Sequence, residues 1–368
     1  MRIAAVEART VVVPLGRPTR ISRRALPNRH YTLTRLRAED GTTGFGWCLG
    51  GATVTAAVRA LLAPRYAGQD VHENERLWDE AYYDTILQGR RGAVVRALST
   101  VDVALWDLKA RLLGLPLARL LGVYQDPVPA YASGGYYYED RDAELEVEEE
   151  ASGWAEAGYT AMKLKVGGVP LEVDVKRLAA FRRTVGDGPR LMLDANNAWR
   201  DWRTALEAIR RFEEFGIEWI EEPLSPDDVE GHRRLGEKLD TRIATGEIEA
   251  TRWGFAQLLR ERAVDVIQAD AAVVGGITEW RRIAATAASF DVPLAPHWFA
   301  DLHVHCVASA PNGGWIEVFP DTRILNVMEL FDRRLEVRDG FAPVPQGPGL
   351  GFELDGAAVD RFAVDAWG

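Results

Sequence analysis

Residues 161–223 read AMKLKVGGVPLEVDVKRLAAFRRTVGDGPRLMLDANNAWRDWRTALEAIRRFEEFGIEWIEEP. Three short apolar runs, AMKLKV (161–166), RLMLDA (190–195) and EWIEE (218–222), alternate with two helical patterns over 171–185 and 202–214. Strands that alternate with helices in this way build parallel sheet. The pattern extends in both directions: VPAYASG (128–134) precedes it, and RIATGE (242–247), VDVIQAD (264–270), VPLAPH (292–297) and WIEVF (315–319) follow, with a further helix over 277–289. Strands and helices in this number predict an α/β fold, a (β/α) barrel. An open doubly wound sheet is the alternative. That fold usually carries a Gly-rich phosphate loop after its first strand, and G-x-G-x-x-G is absent here.

The flanks differ in character. Residues 2–14, 30–39 and 43–48 read as strands, with Asp40-Gly41 as a turn between the last two. Helical patterns follow over 52–63, 73–86 and from Ala93 to Leu113. In the last of these, Val94, Leu98, Val101, Ala104, Leu105 and Leu108 recur at helical spacing before Gly114 and Pro116 stop it. After 322 the chain becomes rich in Pro and Gly, with strand-like pieces RRLEVRDG (333–340) and LGFELDG (350–356). The expected division is an α+β domain over 1–125, the barrel over 126–321, and a tail over 322–368 that returns to the first domain.

With 368 residues, 47% hydrophobic and 27% charged, the composition is that of an ordinary globular protein, large enough to bury a core unaided. Two cysteines, Cys48 and Cys306, make no disulfide framework. The 44 basic against 55 acidic residues give a net charge of −11, and no basic stripe offers a nucleic-acid surface. No apolar run reaches the ~18 residues a membrane span needs, and the N-terminus lacks a signal-peptide pattern. A cytoplasmic protein without nucleic-acid or membrane partners is expected.

The ionisable residues sit at strand ends. Lys163 and Lys165 lie in the second barrel strand, Asp194 ends the third, and Glu221 and Glu222 end the fourth. Glu247, Asp270 and His297 end the next three, and Glu317 falls in the eighth. In barrels, catalytic groups come from the C-terminal ends of several strands. A lone acid after a strand is as often a helix cap, but chance does not explain a complete ring. Asp194, Glu221 and Glu247 come from adjacent strands, so their oxygens can converge on one divalent cation; oxygen-only ligation favours Mg²⁺ or Mn²⁺ over zinc. Without a cation, the three should raise one another's pKa. Lys163 and Lys165, two apart on a strand, point to the same side. Two ammonium groups should lower each other's pKa, leaving one as a base. Asp270 can orient the His297 imidazole and raise its basicity.

K-L-K (163–165), D-A-N (194–196), W-I-E-E-P (219–223), G-E (246–247), Q-A-D (268–270), P-H-W (296–298) and W-I-E (315–317) together resemble the enolase superfamily, in its mandelate racemase-like subgroup. The helical stretch 99–122 resembles that family's link between capping domain and barrel. The resemblance implies a capping α+β domain, built from both termini, on a modified (β/α)7β TIM barrel. It implies Mg²⁺ on Asp194, Glu221 and Glu247, Lys165 as one acid/base, and the Asp270–His297 dyad as the other. It places Glu317 and Lys163 on the substrate carboxylate; stabilising an ene-diolate calls for a protonated Glu317, and Asn196 is a further candidate for substrate contact. It also implies a homo-oligomer, dimer or octamer. The reaction is then removal of a proton α to a carboxylate through an ene-diolate.

Two outcomes remain open at this point. An opposite-face group that protonates a departing β-hydroxyl makes an acid-sugar dehydratase yielding a 2-keto-3-deoxy acid, the favoured reading. One that returns a proton to the same carbon makes a racemase or epimerase. Arg17, Arg20, Arg23 and Arg24 crowd one loop, with His30 behind them, and offer contacts for sugar hydroxyls or a second carboxylate. Tyr136, with Tyr137 and Tyr138, is placed to line the pocket. Three other classes are weaker. A barrel kept only for binding should have lost part of the ring. An amidohydrolase would need an H-x-H at the first strand, whereas His303 and His305 follow the seventh. Muconate-lactonising and dipeptide-epimerase relatives would place a lysine near the sixth strand.

Overall fold

The structure is a computed structural model that describes residues 1–22, 24–138 and 141–368, the side chains of 24–26 excepted. Its N-terminal part is an antiparallel sheet of β1 (Ile3–Ile21), β2 (Arg24–Ala38) and β3 (Thr43–Leu49), in that order. β1 and β2 form one long hairpin in which Val11 faces Tyr31 and Val13 faces Arg29. The register shifts between Pro14 and Thr19, where two prolines and Gly16 interrupt the alternation, and pairing then resumes to Ile21. The stretch read as an arginine-rich loop is therefore the far end of a hairpin.

The helix Ala93–Leu112 packs across this sheet. Glycines on β3 let the backbones meet: a Cβ on Gly44 would lie 2.3 Å from the Leu108 nitrogen and 2.4 Å from the Ala104 oxygen. The same helix is pinned to the barrel. Buried Asp102 accepts hydrogen bonds from the Thr278 amide (2.8 Å) and hydroxyl (2.6 Å), and Trp106 Nε1 donates to Thr278 Oγ1 (2.8 Å).

The second sheet is parallel: β4 (Val128–Gly134), β5 (Ala161–Lys165), β6 (Arg190–Asp194), β7 (Ile217–Glu221), β8 (Arg242–Thr245) and β9 (Val266–Ile267), with β10 (Ile316–Val318) paired to β4. Its seventh position is thinner than the sequence predicts. Of 292–297, only Leu294 bridges, to Ile267 on one side and Gly313 on the other. Pro293 and Pro296 lack the N–H groups a ladder needs. The sheet thereby closes into a barrel. Along β5–β7 the side chains alternate: Met162, Leu164, Leu191, Leu193 and Ile220 join the main core, while Ala161, Met192 and Trp219 fill the barrel with Tyr131.

The tail is less strand-like than expected. Phe341–Ala342 (β11) pairs antiparallel with β4, and 333–340 and 350–356 contribute only isolated bridges. The chain end does return to β1: Val11 bridges Ala363, and the Ala8 amide donates to the Gly368 carbonyl (2.9 Å). No helix among the described residues is long and apolar enough to cross a membrane.

Candidate active site

Strand register brings the charged groups level. Lys165 lies beside Asp194, and Asp194 beside Glu221, across three neighbouring strands. Lys163 and Lys165 continue the inward row begun by Ala161, above the packed layer of Met192 and Trp219. One ligand oxygen each from Asp194, Glu221 and Glu247 lies within 4.8 Å of the others. Lys163 Nζ donates to Glu221 Oε2 (2.6 Å), stands 2.7 Å from Glu317 Oε1, and lies 3.7 Å from Asp194; Lys165 pairs with Asp194.

The electrostatics divide the carboxylates. Burial, joined by Asp194, pushes Glu221 well above the usual range; burial with Glu222 beside it raises Glu247 to about 7. Burial also raises Asp194, but Lys165 and Lys163 outweigh it and hold that group at about 2. The lysines differ from the sequence expectation. Burial opposes their charge, yet Glu221 and Glu317 around Lys163, and Asp194 against Lys165, lift both above the ordinary lysine value. Carboxylate contacts at hydrogen-bond range outweigh the repulsion between two ammonium groups. A divalent cation fits this cluster: the donors are all oxygens, and Glu221 Oε1 and Glu247 Oε2 are buried with no hydrogen-bond partner.

On the other side of the barrel, His297 Nδ1 is 3.1 Å from Asp270 Oδ2, and His297 Nε2 is 3.5 Å from Glu247 Oε2. Burial lowers the imidazole's pKa, but Glu247 and Asp270 reverse this and set it at about 9. Asp270 stays ionised against its burial, with His297 at hydrogen-bond distance as the group that offsets it. His303 had no signal in the sequence. On the helix Ala300–Ala308 its Nε2 accepts from the Ala271 amide (2.9 Å), so its Nδ1 donates to the Trp298 carbonyl (2.8 Å). His305, two residues on, turns away to the Leu350 carbonyl, as i and i+2 on a helix must. Glu317 Oε2 accepts from the Trp298 amide (2.8 Å). Burial raises Glu317, but Lys163 and His297 outweigh it and hold it at about 2, so the expectation of a protonated Glu317 is corrected here.

A cavity of about 320 Å³ joins the two sides. Lys165, Asn196, Glu247, Asp270, His297, Tyr136 and Trp298 line it, and Asn196 Oδ1 is buried without a hydrogen-bond partner. Several residues singled out in the sequence lie elsewhere. Arg17 stacks on Tyr138 and pairs with Glu146 (2.6 Å), Arg20 sits 5.6 Å from the Tyr137 ring, and His30 Nε2 is 2.9 Å from Asn28 Oδ1. Arg23 and the Arg24 side chain lie outside the described residues. The arginines that do line the cavity are Arg29 and Arg96. On β2, Arg29 and His30 point to opposite faces, so a reading one residue out selects the wrong side.

Two family models account for most of the sequence: residues 4–122 match the mandelate racemase / muconate lactonizing enzyme N-terminal domain, and residues 146–358 match the enolase C-terminal domain-like family. The chain belongs to the enolase superfamily, in its mandelate racemase-like subgroup. Within this subgroup it is 35% identical to an arabinonate dehydratase of Saccharolobus solfataricus, covering 89% of each chain. It is 37% identical to an L-talarate/galactarate dehydratase of Salmonella typhimurium, covering 96% of this chain and 89% of that one. Among solved structures, the L-talarate dehydratase from Polaromonas sp. JS666, complexed with Mg and L-glucarate, superposes with a TM-score of 0.91 at 35% identity. That match covers 100% of this chain and 99% of the other.

Proposed function

We propose that this protein is a Mg²⁺-dependent acid-sugar dehydratase, a hydro-lyase that converts an aldonate or aldarate into a 2-keto-3-deoxy acid. One arrangement carries the reading: Lys165 and His297 line one cavity beside the convergent carboxylates of Asp194, Glu221 and Glu247. Relatives whose names give the same activity support it. Asp194, Glu221 and Glu247 would hold the cation, which would supply a Lewis acid for the substrate carboxylate and so acidify the α-proton. Lys163 positions that carboxylate, and Glu317 shares it only once it takes up a proton. Lys165 and His297 divide the proton transfers: one takes the α-proton, and the other protonates the β-hydroxyl, which leaves as water. The enol that remains takes a proton at the former β-carbon and becomes the keto acid. Asp270 orients His297, and His303 packs behind Asp270, held by the Ala271 amide and the Trp298 carbonyl. Asn196 and Tyr136 contact the sugar chain.

The two facing groups also support a second reading, a racemase or epimerase, if both act on the same carbon. ¹H NMR in D₂O with Mg²⁺ and a panel of aldonates and aldarates separates the two. Loss of substrate with a new 3-deoxy-2-keto product is expected. Exchange of the α-hydrogen with the carbon chain otherwise intact makes the enzyme an isomerase, and neither change for any acid overturns both.

The organisation proposed is a cap over 1–125, a barrel over 126–321 and a returning tail over 322–368. Two buried free cysteines, Cys48 and Cys306, fit a reducing cytoplasm. Exposed Leu87 (95%) and Tyr83 (55%) leave apolar surface for a second copy in a homo-oligomer. Analytical ultracentrifugation tests that assembly; a sharp monomer boundary at micromolar concentration sinks it.

A further inference from the structure

The cavity has two walls of different origin. Strand ends of the barrel supply Lys165, Glu247, Asp270 and His297, whereas Arg29 comes from β2 and Arg96 from the helix Ala93–Leu112. Arg29 is only 6% exposed, and its Nε has no hydrogen-bond partner. Its guanidinium lies over the Trp298 ring, 4.6 Å from the centroid. Arg96 donates from Nη1 to the Leu49 carbonyl (3.1 Å). Among the described residues neither arginine has an ion-pair partner, although Arg17, Arg35, Arg111 and Arg177 each have one.

We propose that Arg29, with Arg96, binds a second carboxylate at the far end of the substrate, so that the acid used is an aldarate and not an aldonate. This rests on the acid-sugar reading above and narrows it. A buried cation without a counter-charge is costly to keep, and the cost is met when an anion arrives with the substrate. The Trp298 ring holds the guanidinium by a cation–π contact and leaves its N–H groups, the unpartnered Nε among them, for a two-point contact with a carboxylate. A chain of hydroxyls would be served by neutral donors such as Asn196. Two guanidinium groups on one cavity repel each other, and an anion offsets this where a hydroxyl does not. The carboxylate next to the reacting carbon has partners of its own in Lys163 and in the cation that Asp194, Glu221 and Glu247 would hold, so it leaves the arginines free.

The test is calorimetric binding to the Mg²⁺-loaded enzyme, blocked for turnover by His297→Asn, with matched pairs such as glucarate and gluconate, or galactarate and galactonate. In at least one pair the diacid should bind about tenfold or more tightly than the monoacid. Adding Arg29→Gln should bring that ratio to about one, and Arg29→Lys should restore part of it. Unchanged melting of the Arg29→Gln protein checks its fold, and Arg96→Gln replaces it if it does not fold. Equal affinities within every pair, a ratio that Arg29→Gln leaves intact, or no binding by any acid overturns the assignment. Turnover by the unmodified enzyme is a separate arm. Diacid preference without product or α-hydrogen exchange leaves the second-carboxylate site standing and sinks the dehydratase reading.

Discussion

Asp194 shows how tightly the site is coupled at the scale of single residues. It faces Lys165 and Lys163 and belongs to the acidic triad, so the cluster that fits a cation also holds a base in its charged form. Lys165 and His297 differ in their supports: one leans on a triad member, the other on Asp270 and, behind it, His303. Lys165→Ala and His297→Asn should each lower kcat by about 10³ or more, the scale of a general acid or base. They should differ in D₂O. The variant that keeps the abstracting base should still exchange the α-hydrogen without losing water, and the other should do neither. If NMR finds both variants equally silent in exchange while both still bind Mg²⁺, the division of labour between the two groups is wrong.

Among the elements, the helix Ala93–Leu112 carries the largest structural role. One of its faces meets β3 at Gly44 and Gly46, and Asp102 anchors it to Thr278 of the helix Gly276–Ala288. Gly44→Ala drives a methyl into backbone atoms of that helix and should cost about 3 kcal/mol in urea unfolding. Asp102 gives a pH signature. Burial raises its pKa from 3.8 to about 7, Thr278 only partly opposing this. A carboxyl whose pKa is higher folded than unfolded contributes most below the unfolded value and loses that contribution as pH rises through the folded one. The melting temperature of the wild type relative to Asp102→Asn should therefore fall between about pH 4 and pH 7 and level off above. A flat difference across that range would show that Asp102 does not bind a proton on folding.

For the whole molecule, the triad joins strands β6 and β7 to the segment after β8, so cation binding acts on the barrel as a unit. A ligand present at 100 times its Kd adds about 2.7 kcal/mol to the folded state. Mg²⁺ should raise the melting temperature by several degrees, EDTA should reverse the rise, and Glu221→Gln should abolish it. A melting curve indifferent to Mg²⁺ in the wild type would remove the triad from the mechanism. Calcium should stabilise too, since it also takes oxygen ligands, without supporting turnover at the same rate.

Local spacing was enough to place most of this architecture. Side chains alternate along a strand, so Lys163 and Lys165 had to share a side, and charged groups one βα unit apart had to gather at one rim of a parallel barrel. Asp194, Glu221, Glu247, Asp270, His297 and Glu317 were legible for that reason. The features that depend on contacts between distant segments were not. The face of β2 is set by its register against β1 across the Pro14–Thr19 shift, and that register, not the count of nearby arginines, puts Arg29 in the cavity and turns His30 away. His303 became Asp270's second neighbour only because a helix packs behind the barrel wall. Protonation states followed the same rule: Glu317 is ionised and the lysines charged because folding brings them within hydrogen-bond range, where a contact outweighs anything a chain position predicts.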